Sequence, residues 1–317
     1  DNPNWKYGSY HWGEPEMGYF LSQDEWVIRK DMSMLSDAGF DVLVLDVTNA
    51  VRYWDEWEVL FSTMEKMREE GNNTPQFCFW AFNGEVITVV QQLYERIYKE
   101  NKYPDLWFFW DGKPLLLYNA DPVHDANGGH SAYKDGKHDY SDDVKNFFTL
   151  RNMWWGYYEW AGKRFIGTED NWSFGYSMAD SRIKSMTPEQ LASKHDGKIE
   201  EVAVTPAQHP VTMTDVPMGV GKSWSRRDGE PKLNEYDLPD SAYVPWLGRK
   251  VSDPEGYGIY FQERWDDALA ANPQFLYLND WNEWTAGKYN GDVMWLGRKN
   301  PFMFVDQYNA EFNRTIQ

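Results

Sequence analysis

Short apolar runs alternate along this chain with segments in which apolar residues recur every three or four positions. The runs at 41–46, 77–81, 115–118, 201–205 and 275–280 are rich in aliphatic and aromatic residues, which is typical of strands. The run at 41–46 is continuous, as in a parallel strand buried on both faces. The pattern therefore predicts repeated strand–helix units.

Helix signals separate these strands. Ser22-Gln-Asp-Glu25 reads as a capping box, and apolar residues follow at helical spacing until Gly39. Further helices are predicted over 54–70, 84–100 and 257–272, and Thr187-Pro-Glu-Gln190 opens another with a capping box. Asp111-Gly112 predicts a tight turn between two apolar runs.

Seven strands are readable, with 7–10 as the first and 153–157 between the runs at 115–118 and 201–205, and an eighth is expected near 164–168. Their number and order predict an α/β fold, a (β/α)8 TIM barrel that forms a single domain over 1–317. Two irregular segments, 121–143 and 208–245, each follow a strand and would hang over the carboxyl-terminal face. A doubly wound open sheet is the alternative, but neither a Gly-x-Gly-x-x-Gly nor a Walker loop is present.

Composition narrows the function. Aromatic residues make up 17% of the chain while the mean hydropathy is -0.73, which suits a saccharide groove better than a membrane. The net charge of -19 opposes binding to nucleic acid. No apolar run is long enough for a membrane span and no signal peptide is recognisable. The single cysteine, Cys78, lies in an apolar run and reads as a small buried hydrophobe.

Candidate chemistry concentrates where the last strong strand ends, at Trp281-Asn282-Glu283-Trp284. An indole packs against the C–H face of a pyranose, while an amide and a carboxylate bond its hydroxyls. Apolar walls can also raise the pKa of a carboxyl until it serves as an acid near neutrality. The sequence thus predicts a sugar site with Glu283 as a catalytic acid or base, and the alternative is a surface acid between core-capping tryptophans.

Glycoside hydrolysis needs a second carboxylate. Glu159, among aromatic residues past a predicted strand, and Asp46, at the end of another, are the candidates. Glu159 could instead be a salt-bridged edge acid, and Asp46 could cap the turn that follows it. Asp280 and Asp121 are weaker candidates.

Other polar and aromatic residues follow predicted strands and are expected to bind substrate, although each could equally serve packing or lie on a solvated surface. These residues are Tyr10, His11, Trp12, Trp80, His209, Trp224 and Arg226. Several histidines and aspartates share the loop 124–139, but their spacing matches no zinc or EF-hand pattern, so we expect neither a metal nor a cofactor. No Gly-x-Ser-x-Gly elbow supports serine hydrolase chemistry.

Three motifs together resemble one family. Tyr7-Gly-Ser-Tyr-His-Trp12, Ser223-Trp-Ser-Arg-Arg-Asp-Gly229 and Trp281-Asn-Glu-Trp-Thr-Ala-Gly287 resemble the glycoside hydrolase 71/99-like group, which includes endo-α-mannosidases and α-1,3-glucanases. The resemblance implies a (β/α)8 barrel. It also implies two acids three residues apart, of which Glu283 matches the first, whereas Ala286 stands at the second.

The resemblance therefore predicts a glycoside hydrolase that cleaves an α-linked polysaccharide or glycan, with weak preference for an endo mode. Because Ala286 removes the expected second acid, a catalytically silent carbohydrate-binding barrel is the alternative. The acid pair that the resemblance links to a retaining mechanism through the sugar 2-hydroxyl does not carry over intact. We expect a monomer whose partner is an oligo- or polysaccharide, acting outside the cell or in the periplasm.

Overall fold

The computed structural model describes residues 7–8, 14–122, 139–154, 159–160, 163–175, 183, 185–206, 241–252, 256–283, 288–290, 294–295, 298–299, 302–304 and 315–316. The chain divides into two compact units. The N-terminal unit is Met17–Met153, and the C-terminal unit combines Asp1–Glu16 with Trp154–Gln317. The first short strand, β1 (Tyr7–Gly8), belongs to the C-terminal unit.

The N-terminal unit alternates strands and helices. Its strands are β2 (Val42–Asp46), β3 (Gln76–Trp80), β4 (Phe109–Trp110), β5 (Lys113–Tyr118) and β6 (Thr149–Trp154). Its helices are α1 (Glu25–Asp37), α2 (Trp54–Glu69), α3 (Val86–Leu93) and α4 (Asp142–Phe147), with a π-helical turn at Tyr94–Tyr98 and a 3-10 turn at Pro104–Leu106. Strands β2, β3, β5 and β6 are parallel neighbours in that order.

Local sequence explains several boundaries. The capping-box prediction at Ser22 is wrong, because Asp24 is the N-cap and accepts a hydrogen bond from the Trp26 amide at 2.9 Å. Gly39, with φ of +86°, follows the helix as predicted. The Asp111-Gly112 turn is confirmed as the link of the antiparallel hairpin between β4 and β5.

Aromatic rings fill the core of the N-terminal unit. Phe61 of α2 stacks on Phe77 of β3 with ring centroids 4.0 Å apart, and Phe79 and Tyr98 pack edge-on around them. Cys78 is buried in the same strand, which confirms the sequence interpretation, and burial raises the pKa of its thiol. Strand β2 is only half-buried, so the prediction of burial on both faces is wrong; among the described strands it pairs with β3 alone.

The C-terminal unit contains the remaining elements. Its strands are β7 (Glu159–Trp160), β8 (Lys163–Arg164), β9 (Asn171–Ser173), β10 (Ser193–His195), β11 (Lys198–Val204), β12 (Ala242–Val244), β13 (Arg249–Val251), β14 (Phe275–Leu278), β15 (Lys288–Asn290), β16 (Met294–Trp295), β17 (Arg298–Lys299) and β18 (Phe302–Phe304). Its helices are α5 (Pro188–Leu191) and α6 (Ile259–Ala271), with a 3-10 turn at Pro245–Leu247.

A parallel pair forms the centre of the C-terminal unit. Strand β11 runs parallel to β14 and antiparallel to β10. Ala268 and Ala271 of α6 pack with Val202 and Val204 of β11 to form a small apolar core. The capping box predicted at Thr187 is confirmed at the start of α5, where Gln190 Oε1 accepts from the Thr187 amide at 2.9 Å.

The predicted α/β class with parallel strands is confirmed, and the succession of strands and helices is consistent with a (β/α)8 barrel. The described strands form several sheets and do not close into one ring. The eighth strand expected at 164–168 is wrong, since β8 ends at Arg164 and pairs antiparallel with β7. The single domain over 1–317 stays a prediction.

Candidate functional site

The predicted sugar motif lies where β14 ends. We call residues 279–283 the acidic turn: Asn279, Asp280, Trp281, Asn282 and Glu283. The parallel ladder pairs Leu278 with Val204, and the Asn279 amide donates to the Val204 carbonyl at 2.9 Å. The chain then leaves the sheet. The acidic turn thus lies at the carboxyl end of a parallel pair, the position at which α/β proteins place ligand-binding groups.

Three hydrogen-bonded links hold the backbone of the acidic turn. Asn279 Nδ2 donates to the Phe174 carbonyl at 3.0 Å, just beyond β9. The Ile316 amide donates to the carbonyls of Asp280 and Trp281 at 3.1 Å each. Thr315, whose side chain is buried, donates through Oγ1 to the Glu283 carbonyl at 3.3 Å. The turn is therefore a fixed element and not a loose connection.

The side chains of the acidic turn differ in exposure. Asn282 and Glu283 are exposed, whereas Asp280 and Trp281 are half-buried. Trp281 Nε1 is buried and has no hydrogen-bond partner among the described residues. A carboxylate and an amide that face solvent beside an indole can meet a sugar that arrives from solution. The described surroundings of Glu283 do not include the apolar walls that the sequence predicts.

Asp46 caps the turn that follows β2, which is the alternative to a catalytic role that the sequence left open. It ends β2, is exposed, and accepts through Oδ1 from the Thr48 amide at 2.7 Å. This short-range bond is the one by which aspartate caps a turn. The turn explains why the sequence has aspartate here, and a catalytic role for Asp46 stays a prediction.

Trp80 lies on β3 of the N-terminal unit, and Glu159 lies on β7 of the C-terminal unit. Trp80 ends β3 and is only 4% exposed, and its Nε1 donates to the Met153 carbonyl at 3.1 Å. Its indole is therefore largely enclosed within the N-terminal unit. Glu159 opens β7, and its backbone pairs with Arg164 of β8.

The remaining predicted site residues lie outside the described residues, and their roles stay predictions. They are Tyr10, His11, Trp12, His209, Trp224, Arg226 and Trp284. Ala286 also lies outside.

Two buried asparagines in the N-terminal unit, after β5 and on β6, were not predicted as site residues. Asn119 follows β5 and is 1% exposed; its Nδ2 donates to the Phe82 carbonyl at 3.2 Å and its Oδ1 accepts from the Asp121 amide at 3.0 Å. Asn152 of β6 accepts from the Ala120 amide at 3.0 Å. These neutral amides fix the backbone beside Asp121. The signal available in the sequence was an asparagine directly after one predicted strand and another directly before the next.

Glu201 was also missed. It lies on β11, is 1% exposed, and accepts through Oε2 from the Ser173 amide at 3.1 Å. Burial raises the pKa of this carboxyl to about 8 despite its hydrogen bonds with Ser173 and Ser193, and the charge of Glu200 adds to the rise. Glu201 lies three positions before Val204, where β11 ends, which is about 10 Å along a strand, so the carboxyl is too deep to meet a ligand at the sheet edge.

Within the described part of the chain, no group of three or more histidine, cysteine, aspartate or glutamate side chains could hold a metal ion. His195 Nδ1 lies 2.6 Å from Asp170 Oδ1 at the opposite end of β11 from the acidic turn. No helix in the described ranges is both long and apolar enough to cross a bilayer.

Comparisons with known proteins give a distant likeness. No protein-family model matches the chain, and no curated protein sequence is similar to it. Two solved structures of a GH99 endo-α-mannosidase from Bacteroides thetaiotaomicron are similar at 14% identity. The complex with BIS-TRIS-propane aligns over 86% of this chain and 74% of that one, with a TM-score of 0.46. The second aligns over 86% and 70%, with a TM-score of 0.45.

Both structures carry the name of one branch of the family group that the sequence motifs resemble. The family 71 part of that resemblance has no counterpart in these two structures.

Proposed function

We propose that this protein is a glycoside hydrolase that acts on an α-linked glycan, with Glu283 in its acid–base machinery. The observation that carries the proposal is the acidic turn itself. It presents an exposed carboxylate and an exposed amide beside a half-buried indole, on a backbone that is held at the carboxyl end of β11 and β14. The resemblance of Trp281–Gly287 to a glycosidase motif supports the same chemistry.

The chemistry requires a carboxyl group at the scissile bond and a second group that attacks or activates water. Glu283 supplies the first in this proposal. Because position 286 is alanine, the second must come from elsewhere. Asp280 lies on the same turn with one carboxyl oxygen buried, and Glu159 and Asp46 remain the candidates from sequence.

The second candidate function is glycan binding without hydrolysis. Ala286 favours it, since the second acid of the family pattern is missing. The exposed setting of Glu283 also favours it, since a glycosidase acid typically lies in an apolar pocket. The two functions share the acidic turn and differ only in turnover. The proposal includes an extracellular or periplasmic site of action, because a polysaccharide does not cross a membrane. It also includes a monomeric state.

Turnover of a panel of α-linked mannans and glucans separates the two functions. We expect the wild type to release oligosaccharides and Glu283→Gln to lose at least 100-fold in kcat/KM, the scale of positioned acid–base catalysis. Glu69→Gln, which alters an exposed carboxylate on α2, is the matched control and should retain full activity. Mid-chain products would support an endo mode.

Equal hydrolysis by Glu283→Gln and the wild type would remove Glu283 from the mechanism. Saturable binding without hydrolysis of any glycan would establish the binding function instead. Asp280→Asn, Glu159→Gln and Asp46→Asn in the same assay identify the second carboxylate, since only the true partner should match the loss in Glu283→Gln.

A further inference from the structure

Glu201 joins three neighbouring strands of the C-terminal unit. Its Oε2 accepts from the Ser173 amide of β9 at 3.1 Å and lies 3.1 Å from Ser193 Oγ of β10. Ser193 Oγ also makes a very short hydrogen bond to the Asn171 carbonyl of β9. The carboxyl is fully buried, and its Oε1 has no hydrogen-bond partner among the described residues.

One assignment of protons satisfies all the hydrogen-bond contacts of this cluster. A serine hydroxyl has one proton to donate, and the Asn171 carbonyl can only accept, so the Ser193 proton belongs to that bond. The contact between Ser193 Oγ and Glu201 Oε2 then needs a proton from Glu201. A neutral Glu201 satisfies both contacts. An ionised Glu201 would compete with a backbone carbonyl for one proton, and no cation among the described residues acts on the buried carboxyl.

A chain of hydrogen bonds leads from this cluster to the acidic turn. Ser173 Oγ donates to the Gly175 carbonyl at 3.0 Å and accepts from the Gly175 amide at 3.3 Å, which closes the turn after β9. The carbonyl of Phe174, inside that turn, accepts from Asn279 Nδ2 at 3.0 Å. The position of β9 therefore fixes the first residue of the acidic turn.

We propose that Glu201 is a positioning residue whose protonated carboxyl ties β9 and β10 to β11 and thereby holds the acidic turn in place, so that its ionisation releases the turn. An effect of this release on catalysis rests on the proposed function. The release of the turn itself does not depend on that function. The elevated pKa of about 8 supports the neutral form at neutral pH.

Other charged groups near the cluster do not supply the missing cation. The packed elements carry Glu200 on β11, Lys194 and His195 on β10, and Glu263, Arg264 and Asp267 on α6. The described charge that acts on Glu201 is that of Glu200, which disfavours a second negative charge. Trp172 Nε1 donates to Glu200 Oε2 at 2.7 Å.

Hydrogen exchange against pH tests the proposal directly. We expect wild-type peptides covering 275–283 to lose protection, corrected for the intrinsic rate, with a midpoint near the pKa of about 8. In Glu201→Gln the protection should persist, because the amide oxygen still accepts from Ser173 and the side chain cannot ionise. The matched control Glu200→Gln keeps the acceptor for Trp172 and should retain the alkaline loss.

Identical pH dependence in the wild type and Glu201→Gln would overturn the proposal. If the variant does not fold, the wild type still decides: peptides of β3 at 76–80 should keep their protection where 275–283 lose it, and parallel loss in both refutes a local release. The alkaline limb of kcat/KM should move up by at least one pH unit in Glu201→Gln. Absence of turnover in the wild type would refute the hydrolase and leave the exchange result to judge Glu201.

Discussion

The two units of this protein build their cores from different materials. The core of the N-terminal unit is aromatic and aliphatic, with Phe61, Phe77 and Phe79 in contact and, among its described residues, only Asp31 and Arg151 as buried charged side chains. The described core of the C-terminal unit contains Glu200, Glu201, Glu263, Arg264 and Asp267. The first core gains stability mainly from apolar burial, whereas the second also depends on the protonation and pairing of its polar groups.

This difference matters because the acidic turn belongs to the unit with the charged core. Buried ionisable groups make a structure responsive to pH and intolerant of the loss of one partner. A core made mainly of aromatic and aliphatic side chains is less sensitive to pH and to the loss of a single polar partner. Three experiments test the contrast, in order of decreasing effect.

The largest effect is expected from Arg264→Ala. Arg264 is fully buried, its Nη2 lies 2.8 Å from Glu263 Oε1 and 2.9 Å from Asp267 Oδ2, and its guanidinium lies 5.1 Å from the Tyr260 ring. Removal of the cation leaves two acids nearly buried without it, which destabilises by about 3–5 kcal/mol. Denaturant unfolding measures the loss. Gln262→Ala, on the exposed face of α6, should change it by less than about 0.5 kcal/mol.

A combined replacement sharpens this result. Arg264→Met with Glu263→Leu and Asp267→Leu removes all three charges at once and should recover most of the stability lost in Arg264→Ala. Failure to recover would mean that the side chain of Arg264 acts through packing and not through charge.

The second effect concerns pH. Glu201 has its folded pKa raised from 4.5 to about 8, so its contribution is complete below 4.5 and disappears as pH rises through 8. From pH 6 to 9 the wild type should lose about 2–3 kcal/mol more than Glu201→Gln, since each pKa unit is worth about 1.4 kcal/mol. Denaturant unfolding of both proteins across this range gives the difference. If the free energy of unfolding varies with pH in the same way in both proteins, Glu201 is not the group whose ionisation destabilises the fold.

The smallest effect is expected in the N-terminal unit. Ser141 caps α4, accepting from the Val144 amide at 3.3 Å and donating to Gln91 Oε1 at 2.7 Å. Ser141→Ala should lose about 1 kcal/mol, the usual value of an N-cap. Because no ionisable group takes part, the loss should be equal at pH 6 and pH 9. Ser141→Thr keeps the hydroxyl and should restore stability, and a pH-dependent loss would contradict the contrast between the units.

Sequence periodicity located most of the main helices and strands of both units, because an amphipathic segment and an apolar run each leave a local signature. The exact ends of these elements and their burial depend on the strands and helices that pack beside them. Strand β6 begins at Thr149, four residues before the predicted start at Met153, and the half-burial of β2 depends on which strands flank it. The N-cap at Asp24 was missed because Ser22 and Glu25 satisfied the same pattern.

The candidate site was only partly accessible from sequence. Glu283 and its neighbours formed a continuous motif at the end of a strand, which is why the acidic turn was found. Asn119 and Glu201 were not, because their partners Phe82 and Ser173 lie 37 and 28 residues away along the chain. A pattern within one segment cannot show such pairs.

The links from Thr315 and Ile316 to the acidic turn impose an order on folding during synthesis. Strand β14 can pair with β11 as soon as both have left the ribosome, yet the carbonyls of Asp280, Trp281 and Glu283 wait for donors more than 30 residues downstream. The acidic turn can therefore acquire its final shape only after residues 315–316 have been synthesised, and a nascent chain that ends with β14 is still without a finished site.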